Sequence, residues 1–248
     1  MLRCIRFDLP AESLHYVADC SHAPYGDKSP EFIEARSFAI AEFLVDTGAK
    51  ALVVACNTAT AAAITKLRMK FDLPIVGVEP AVKPAVAATR SGVIGVLATS
   101  GTLESDKFAQ LTARFGSNAK VIVQPCPGLV EQIERGELAS EETRALLAAF
   151  VQPLIAQGAD TLVLGCTHYP FLIPLLREML SEDIALIETS AAVSRQLARL
   201  LEERGLLAEG DLSGSVRCWT SGPMQAFADL LPLLWGEALP VANLTISG

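Results

Sequence analysis

Two cysteines stand at matching positions of a short internal repeat. The first copy is Gly48-Ala-Lys-Ala-Leu-Val-Val-Ala-Cys56, and the second is Gly158-Ala-Asp-Thr-Leu-Val-Leu-Gly-Cys166. In each copy an apolar run typical of a buried strand ends at the thiol, and a pattern that favours a helix follows. Two thiols at such turns are the groups that a reaction with one base on each face of a substrate needs.

The residues after each thiol could bind an amino acid. A thiol at the start of a helix lies at the positive end of the helix dipole, so we expect its pKa to be lowered. The unpaired N–H groups of the same helix start suit a carboxylate. Donor side chains follow each thiol, namely Asn57, Thr58, Thr167 and His168. One thiol could then remove an α-proton while the other protonates the opposite face, with His168 tuning its neighbour.

Composition limits the fold class and the compartment. The chain has 248 residues, of which 51% are hydrophobic and 19% charged, so it can bury a large core as one domain or two lobes. No apolar stretch has the length of a membrane span and no signal-peptide pattern opens the chain, which predicts a cytoplasmic protein. The net charge of −8 argues against non-specific binding of nucleic acid.

Cysteine spacing and missing motifs exclude several kinds of chemistry. The six cysteines form no C-x-x-C pair and there are three histidines, so neither a disulfide framework nor a tetrahedral metal site is expected. No glycine-rich motif for a dinucleotide or a nucleoside triphosphate is present. We interpret Cys4, Cys126 and Cys218 as small packing residues and expect no cofactor.

Strands and helices alternate along the sequence, which predicts an α/β fold with mostly parallel sheet flanked by helices. The predicted strands cover residues 15–18, 52–55, 75–78, 93–98, 121–124, 162–164, 185–187 and 216–220. The predicted helices cover residues 1–9, 31–47, 58 or 60 to 71, 103–115, 129–135, 141–157, 192–204 and 225–235. The turn residues follow the strands, at the edge where parallel sheets bind ligands.

A turn-rich stretch precedes the second predicted helix. Pro24 and Gly26 flank Tyr25, and together they fix an exposed backbone that can present a side chain and an N–H group to a ligand. An ordinary surface loop is the alternative interpretation.

Five stretches together carry a family resemblance. They are Ala18-Asp-Cys-Ser-His-Ala-Pro-Tyr-Gly-Asp-Lys-Ser-Pro30, Leu52-Val-Val-Ala-Cys-Asn-Thr-Ala59, Val78-Glu-Pro-Ala-Val-Lys-Pro84, Leu97-Ala-Thr-Ser-Gly-Thr102 and Leu164-Gly-Cys-Thr-His-Tyr-Pro170. Over nearly its whole length the chain resembles glutamate racemase, of the cofactor-independent aspartate/glutamate racemase family. The resemblance implies two pseudo-symmetric α/β lobes, each a mostly parallel sheet flanked by helices, with the active site in the cleft between them. By analogy, residues 1–80 and 191–248 form one lobe and residues 81–190 the other.

The resemblance also implies a function and a site. The family interconverts L- and D-glutamate without a cofactor and supplies D-glutamate for bacterial peptidoglycan; homodimers are a family expectation. Its catalytic pair falls on Cys56 and Cys166, the first serving the D-enantiomer and the second the L-enantiomer. The turn with Thr99 and Thr102 is expected to meet the side-chain carboxylate. The remaining substrate-binding positions fall on Tyr25, Gly26, Asn57, Thr58, Thr167 and His168.

One departure from the family pattern keeps other interpretations open. The family opens with a strand ending in Asp-Ser-Gly, which this sequence lacks, and Cys20 stands where threonine or serine is more usual. From this departure alone we expect the chain as written to be unstable and nearly inactive, with Met1 a mis-assigned start. A catalytically impaired homologue with a binding or regulatory role is the main alternative. A thiol redox protein is a weaker one, and aspartate is the alternative substrate.

Overall fold

The structure, a computed structural model, describes residues 1–115, 118–210 and 213–246. The strands in these residues are β1 (Leu14–Ala18), β2 (Leu52–Val53), β3 (Ile75–Val76), β4 (Val93–Ala98), β5 (Lys120–Pro125), β6 (Thr161–Leu164), β7 (Ala185–Ile187), β8 (Val216–Thr220) and β9 (Val241–Asn243). The helices are α1 (Leu2–Asp8), α2 (Pro30–Asp46), α3 (Asn57–Lys70), α4 (Val82–Ala88), α5 (Ser100–Leu103), α6 (Asp106–Phe115), α7 (Leu129–Glu134), α8 (Glu141–Ala156), α9 (Ile173–Met179), α10 (Ser190–Glu203) and α11 (Met224–Leu234). Among the described residues, no helix has the length and apolar character needed to cross a membrane.

The chain divides into two compact units. The first contains Met1–Ala55, Ala62–Val78 and Ser190–Gly248, and the second contains Cys56–Ala61 and Glu79–Thr189. The start of α3 therefore groups with the second unit, whereas the analogy assigned it to the first lobe. The lobe boundaries expected from the resemblance stay a prediction.

The first unit contains two parallel sheets. Strands β1, β8 and β9 form one in the order β1-β8-β9, and β2 pairs with β3 in the other. Apolar side chains of α1, β3 and α10 pack into one cluster that includes Ile5, Val76 and Leu197. A second cluster, which includes Leu52 and Leu67, joins the β2–β3 pair to α2 and α3.

The second unit is built on one parallel sheet in the order β5-β4-β6-β7. The central strands β4 and β6 are almost entirely buried, and Val96 pairs with Val163 between them. Because both faces are covered, both strands consist of continuous apolar residues without alternation, as the sequence predicted for β6. Because both strands run the same way, the residues after Ala98 and after Leu164 leave the sheet at the same edge.

The two glycines that open the copies of the sequence repeat occupy equivalent positions at the ends of helices. Gly48 ends α2 with a φ of +89°, and Gly158 ends α8 with a φ of +90°. In each case the residue after the glycine donates its N–H to a carbonyl in the last turn of the helix, Ala49 to Leu44 and Ala159 to Leu154. Glycine is favoured at these positions because it adopts the left-handed conformation without strain.

Most predicted elements are confirmed, and the exceptions are local. Helix α3 begins at Asn57, so the prediction that Thr58 or Thr60 caps it was wrong. The segment at residues 99–102 is not a simple turn, because it leads directly into the short helix α5. Helix α4 and strand β9 were missed; the two prolines around α4 favoured a loop.

A partly buried carboxylate just before β6 holds the start of that strand against the loop that precedes β4. Asp160 accepts hydrogen bonds from the backbone N–H groups of Arg90 (2.8 Å) and Ser91 (2.7 Å). It also accepts from the hydroxyls of Thr89 and Thr161. Desolvation opposes its ionisation, but these four donors dominate and hold the pKa of Asp160 well below its usual range.

We expect Asp160→Asn to lower the free energy of unfolding by about 2 kcal/mol, because an uncharged amide cannot accept from all four donors. In a chain of this size that loss lowers Tm by roughly 4–8 °C. Since the folded pKa is depressed, the contribution is present above about pH 4 and is lost as the pH falls further. Thermal unfolding at pH 7 and pH 3 measures both effects. Asp183→Asn, at an exposed carboxylate 3.6 Å from Arg90, is the control and should change Tm little; an equal effect would contradict the assignment.

Candidate active site

Gly165 sets the position of the second thiol. Its N–H donates to the carbonyl of Leu97 at 2.7 Å, which extends the pairing of β6 with β4 by one residue. A Cβ atom at this position would lie 2.8 Å from that carbonyl oxygen and 3.0 Å from the Cβ of Ala98. The small residue is therefore required for Cys166, which is 9% exposed, to lie at the edge of the sheet.

The chain after Cys166 turns through a short 3-10 helix, Tyr169–Leu172, before α9. The N–H of Tyr169 donates to the Cys166 carbonyl at 3.1 Å, and the buried Tyr169 hydroxyl donates to the carbonyl of Cys126 at 3.4 Å. Burial and the nearby Cys166 raise the pKa of Cys126 to about 12, and burial raises that of Tyr169 well above its ordinary value. The Tyr169 side chain therefore anchors the turn to the Cys126 backbone, and both side chains stay protonated.

His168 connects the second thiol to a carboxylate. Its Nδ1 lies 3.8 Å from the Cys166 sulfur, and its Nε2 lies 2.7 Å from Oε1 of Glu134, the last residue of α7. Burial opposes the charged ring, but hydrogen bonds to Cys166 and Glu134 outweigh it and raise the pKa of His168 to about 10. The ring is thus an imidazolium at neutral pH, held between a sulfur and a carboxylate.

The sequence predicted His168 but missed Glu134. The two residues are 34 positions apart, so no spacing rule for a single helix or turn connects them. The available signal was indirect: α7 is the helix that follows β5, and β5 lies next to β4 in the same sheet. Only the tertiary fold brings that helix end to the imidazole.

The first thiol lies immediately before α3. The backbone N–H of Ala59 donates to the Cys56 sulfur at 3.5 Å, and Thr58 bonds to the same sulfur through both its backbone and its side chain. The expected lowering of the Cys56 pKa was nevertheless wrong. Burial raises the pKa, charge on Cys166 raises it further, and the hydrogen bonds from Ala59 and Thr58 do not compensate. Cys56 is therefore a thiol in the resting state.

Three hydroxyls form a compact cluster beside this thiol. Thr58 Oγ1 lies 3.0 Å from Thr99 Oγ1 and 3.0 Å from Thr102 Oγ1, which are themselves 3.0 Å apart. Asn57 next to them is 5% exposed, and within the part of the chain that the structure describes its Oδ1 is buried without a hydrogen-bond partner. A buried acceptor of this kind is normally satisfied, so a ligand that donates a hydrogen bond fits here.

The loop with Tyr25 and Gly26 belongs to the first unit and is held by Asp19. This carboxylate accepts two hydrogen bonds from Arg36, at 3.0 and 2.8 Å, and one from the Tyr25 hydroxyl. Burial would raise the pKa of Asp19, but the bonds from Arg36, Tyr25, Ser221 and His22 lower it to about 2. The Tyr25 hydroxyl therefore donates its hydrogen bond to the Asp19 carboxylate.

The second unit brings most of the predicted site residues into two groups. The first group consists of Cys56, the next residue Asn57 and the cluster of three threonine hydroxyls beside them. The second group is Cys166 with His168, and the half-buried Thr167 stands between them in the chain. The two groups are coupled, because charge on Cys166 affects ionisation of Cys56. The roles of these residues, and those of Tyr25 and Gly26 in the first unit, stay predictions.

The second unit of this α/β protein combines one parallel sheet with two cysteines at the turns that follow strands. A family model described as Asp/Glu/Hydantoin racemase matches residues 1–197. A glutamate racemase of Stutzerimonas stutzeri is 60% identical over 96% of this chain and 89% of its own length. The chain belongs to the Asp/Glu/Hydantoin racemase family, and its enzyme class is isomerase.

Solved structures agree with this assignment. The glutamate racemase isoform RacE1 of Bacillus anthracis matches with a TM-score of 0.88 and 32% identity, covering 98% of this chain and 92% of that one. The Escherichia coli glutamate racemase, solved with L-glutamate and the activator UDP-MurNAc-ala, also matches with a TM-score of 0.88 and 32% identity, covering 100% and 94%.

Proposed function

We propose that this protein interconverts L- and D-glutamate by exchanging the Cα proton between two thiols, and that it supplies D-glutamate for peptidoglycan. The observation that carries the proposal is the coupling of Cys56 and Cys166, since ionisation of one thiol disfavours ionisation of the other. Such a pair does not hold two thiolates at once, so one sulfur can act as the base while the other, as a thiol, acts as the acid that inversion needs. The glutamate in the names of close relatives supports the choice of substrate.

The two thiols have different surroundings, and this gives each a role. Cys166 lies next to the His168 imidazolium, which supplies the counter-charge for a thiolate. For L-glutamate, the Cys166 thiolate takes the α-proton and becomes a thiol, while Cys56 gives its proton to the opposite face and becomes a thiolate. The reverse sequence converts D-glutamate, and the two protonation states exchange in every turnover.

The polar groups around the thiols bind and orient the amino acid in this proposal. Asn57 and Thr58 offer amide and hydroxyl groups next to Cys56, and Thr167 and His168 offer a hydroxyl and an imidazolium next to Cys166. A fixed orientation of the Cα–H bond toward the base is worth several kcal/mol of the barrier. Tyr25 and Gly26 are proposed to contribute through the loop that Asp19 holds. Homodimerisation and a cytoplasmic location stay predictions.

Exchange in deuterated water tests the proposal directly. The protein is mixed with D-glutamate in D₂O, and the α-proton signal is followed by NMR while circular dichroism follows inversion. We expect the α-proton signal to disappear as the sample becomes racemic, with D-aspartate reacting much more slowly. Binding of glutamate without exchange would instead support the alternative of a catalytically impaired binding protein. A thiol redox protein would give neither signal.

We expect racemisation to need no metal, because two thiols complete the proton exchange by themselves. Exhaustive dialysis against EDTA should leave kcat and KM unchanged within error, and addition of Zn²⁺ or Mg²⁺ should not raise them. Within the described parts of the chain, no group of three or more His, Cys, Asp or Glu side chains is arranged to hold a metal ion. Activity that is lost on dialysis and recovered with metal would contradict this prediction.

A further inference from the structure

The cluster of three threonine hydroxyls is predicted to contact substrate, and its geometry indicates a second role. Thr58 is 6% exposed and Thr102 2% exposed, while Thr99 is partly exposed. Because the Thr102 side chain is almost fully buried, its hydroxyl bonds to neighbouring side chains rather than to solvent. Its neighbours are Thr99 and Thr58, each at 3.0 Å.

The backbone around Thr99 gives independent support for this. Thr99 precedes the first residue of α5, where a threonine hydroxyl normally accepts from a backbone N–H of the first turn. Here it makes no such capping bond and turns to Thr58 and Thr102 instead. Thr99 therefore makes hydrogen bonds within the cluster in place of the capping bond that its position favours.

The number of protons restricts how the cluster can be arranged. Each hydroxyl donates one hydrogen bond and accepts up to two. When the Cys56 sulfur is a thiol, the three hydroxyls can donate to one another in a closed ring. When the sulfur is a thiolate, Thr58 can donate to it, and the chain Thr99 to Thr102 to Thr58 to sulfur keeps every proton in a hydrogen bond. Hydrogen bonds in such a chain strengthen one another.

We propose that Thr99 and Thr102 are positioning residues, which orient the Thr58 hydroxyl so that it donates to the Cys56 sulfur when the sulfur is a thiolate. The inference deepens the proposed two-thiol reaction and rests on it for its functional meaning. The Thr58 hydrogen bond stabilises the Cys56 thiolate. It partly offsets burial and the charge on Cys166, the titratable group that faces Cys56, both of which disfavour that thiolate. In this proposal Thr102 acts through Thr58, while its expected contact with substrate stays a prediction.

Alkylation of Cys56 tests the proposal without using racemisation. The rate of modification by iodoacetamide is measured from pH 6 to pH 11, and the Cys56 peptide is quantified by mass spectrometry. In the double variant Thr99→Val/Thr102→Val we expect the pH midpoint for Cys56 to rise by about one unit, because the Thr58 donor is no longer oriented. Each single valine variant should give a smaller rise, and Thr102→Ser should restore the parental midpoint.

The controls separate a hydroxyl effect from a packing effect. Thr112→Val removes a hydroxyl that bonds to carbonyls within α6 and should leave the midpoint unchanged. Thr99→Val alone, at a partly exposed site, serves if the double variant does not fold. An unchanged midpoint in the folded valine variants, or a shift in Thr102→Ser equal to that in Thr102→Val, would overturn the proposal. A parent that shows the alkylation shift but no α-proton exchange would reject the proposed reaction and leave the hydroxyl arrangement standing.

Discussion

Replacement of either Cys56 or Cys166 by alanine is expected to abolish racemisation, with kcat lowered by roughly 10³-fold to 10⁴-fold or more. Each turnover uses both thiols, one as the base and the other as the acid, so the loss of either thiol leaves one face of the substrate without its proton acceptor or proton donor. Both enantiomers should therefore be affected, although each begins with a different base. The rate is measured by circular dichroism from L-glutamate and from D-glutamate separately.

The fold should survive both substitutions, which makes the activity loss interpretable. Alanine removes one sulfur atom at each position, and the carbonyls of Cys56 and Cys166 keep their hydrogen bonds from the N–H groups of Thr60 and Tyr169. The bonds that are lost at Cys56 are those from Ala59 and Thr58 to its sulfur. Cys126→Ala and Cys218→Ala are matched controls, because both thiols are buried and burial raises their pKa values to about 12 and about 11. Racemisation at the parental rate in either active-site variant would exclude the two-base scheme.

The sequence was most informative where one local rule decides the structure. The glycines at 48 and 158 end helices, and the apolar runs before the two thiols form strands, fully buried in β6 and partly buried in β2. Both features depend on residues adjacent in the chain. Parallel pairing then brings the ends of β4 and β6 to one edge of the sheet. For this reason the order of strands and turns in the sequence is enough to predict that Thr99, Thr102 and Cys166 lie at the same edge of the sheet.

The sequence was least informative where two effects oppose each other in three dimensions. The dipole rule lowers the pKa of a thiol at a helix start, and the hydrogen bond from Ala59 does act in that direction. Burial of Cys56 is the larger effect, and burial depends on the packing of the whole second unit. The same limit explains why Glu134 was missed, since its contact with His168 exists only after β5, α7 and β6 are in place.

Glu134 is the carboxylate whose removal should change the pH profile most. It accepts from His168 at 2.7 Å and, with Cys166, holds the pKa of that imidazole at about 10, above its ordinary value. The imidazolium is therefore present at neutral pH and is lost as the pH rises toward 10. Its contribution to stability follows the same direction: it is complete below about pH 6.5 and disappears as the pH passes the raised value.

Glu134→Gln keeps the size of the side chain and removes its charge, so His168 should lose its proton at a lower pH. We expect the alkaline limb of kcat/KM to move down by about one to two units, because an adjacent opposite charge shifts a pKa by that amount. His168→Asn should remove this limb and lower kcat by about 10²-fold, since the Cys166 thiolate loses its counter-charge. Glu137→Gln, at an exposed position after α7, is the control and should leave the profile unchanged. If the alkaline limb of Glu134→Gln stays in place, the prediction is wrong. The Glu134 carboxylate would then orient the His168 ring without raising its pKa, because the limb reports the charge of that ring.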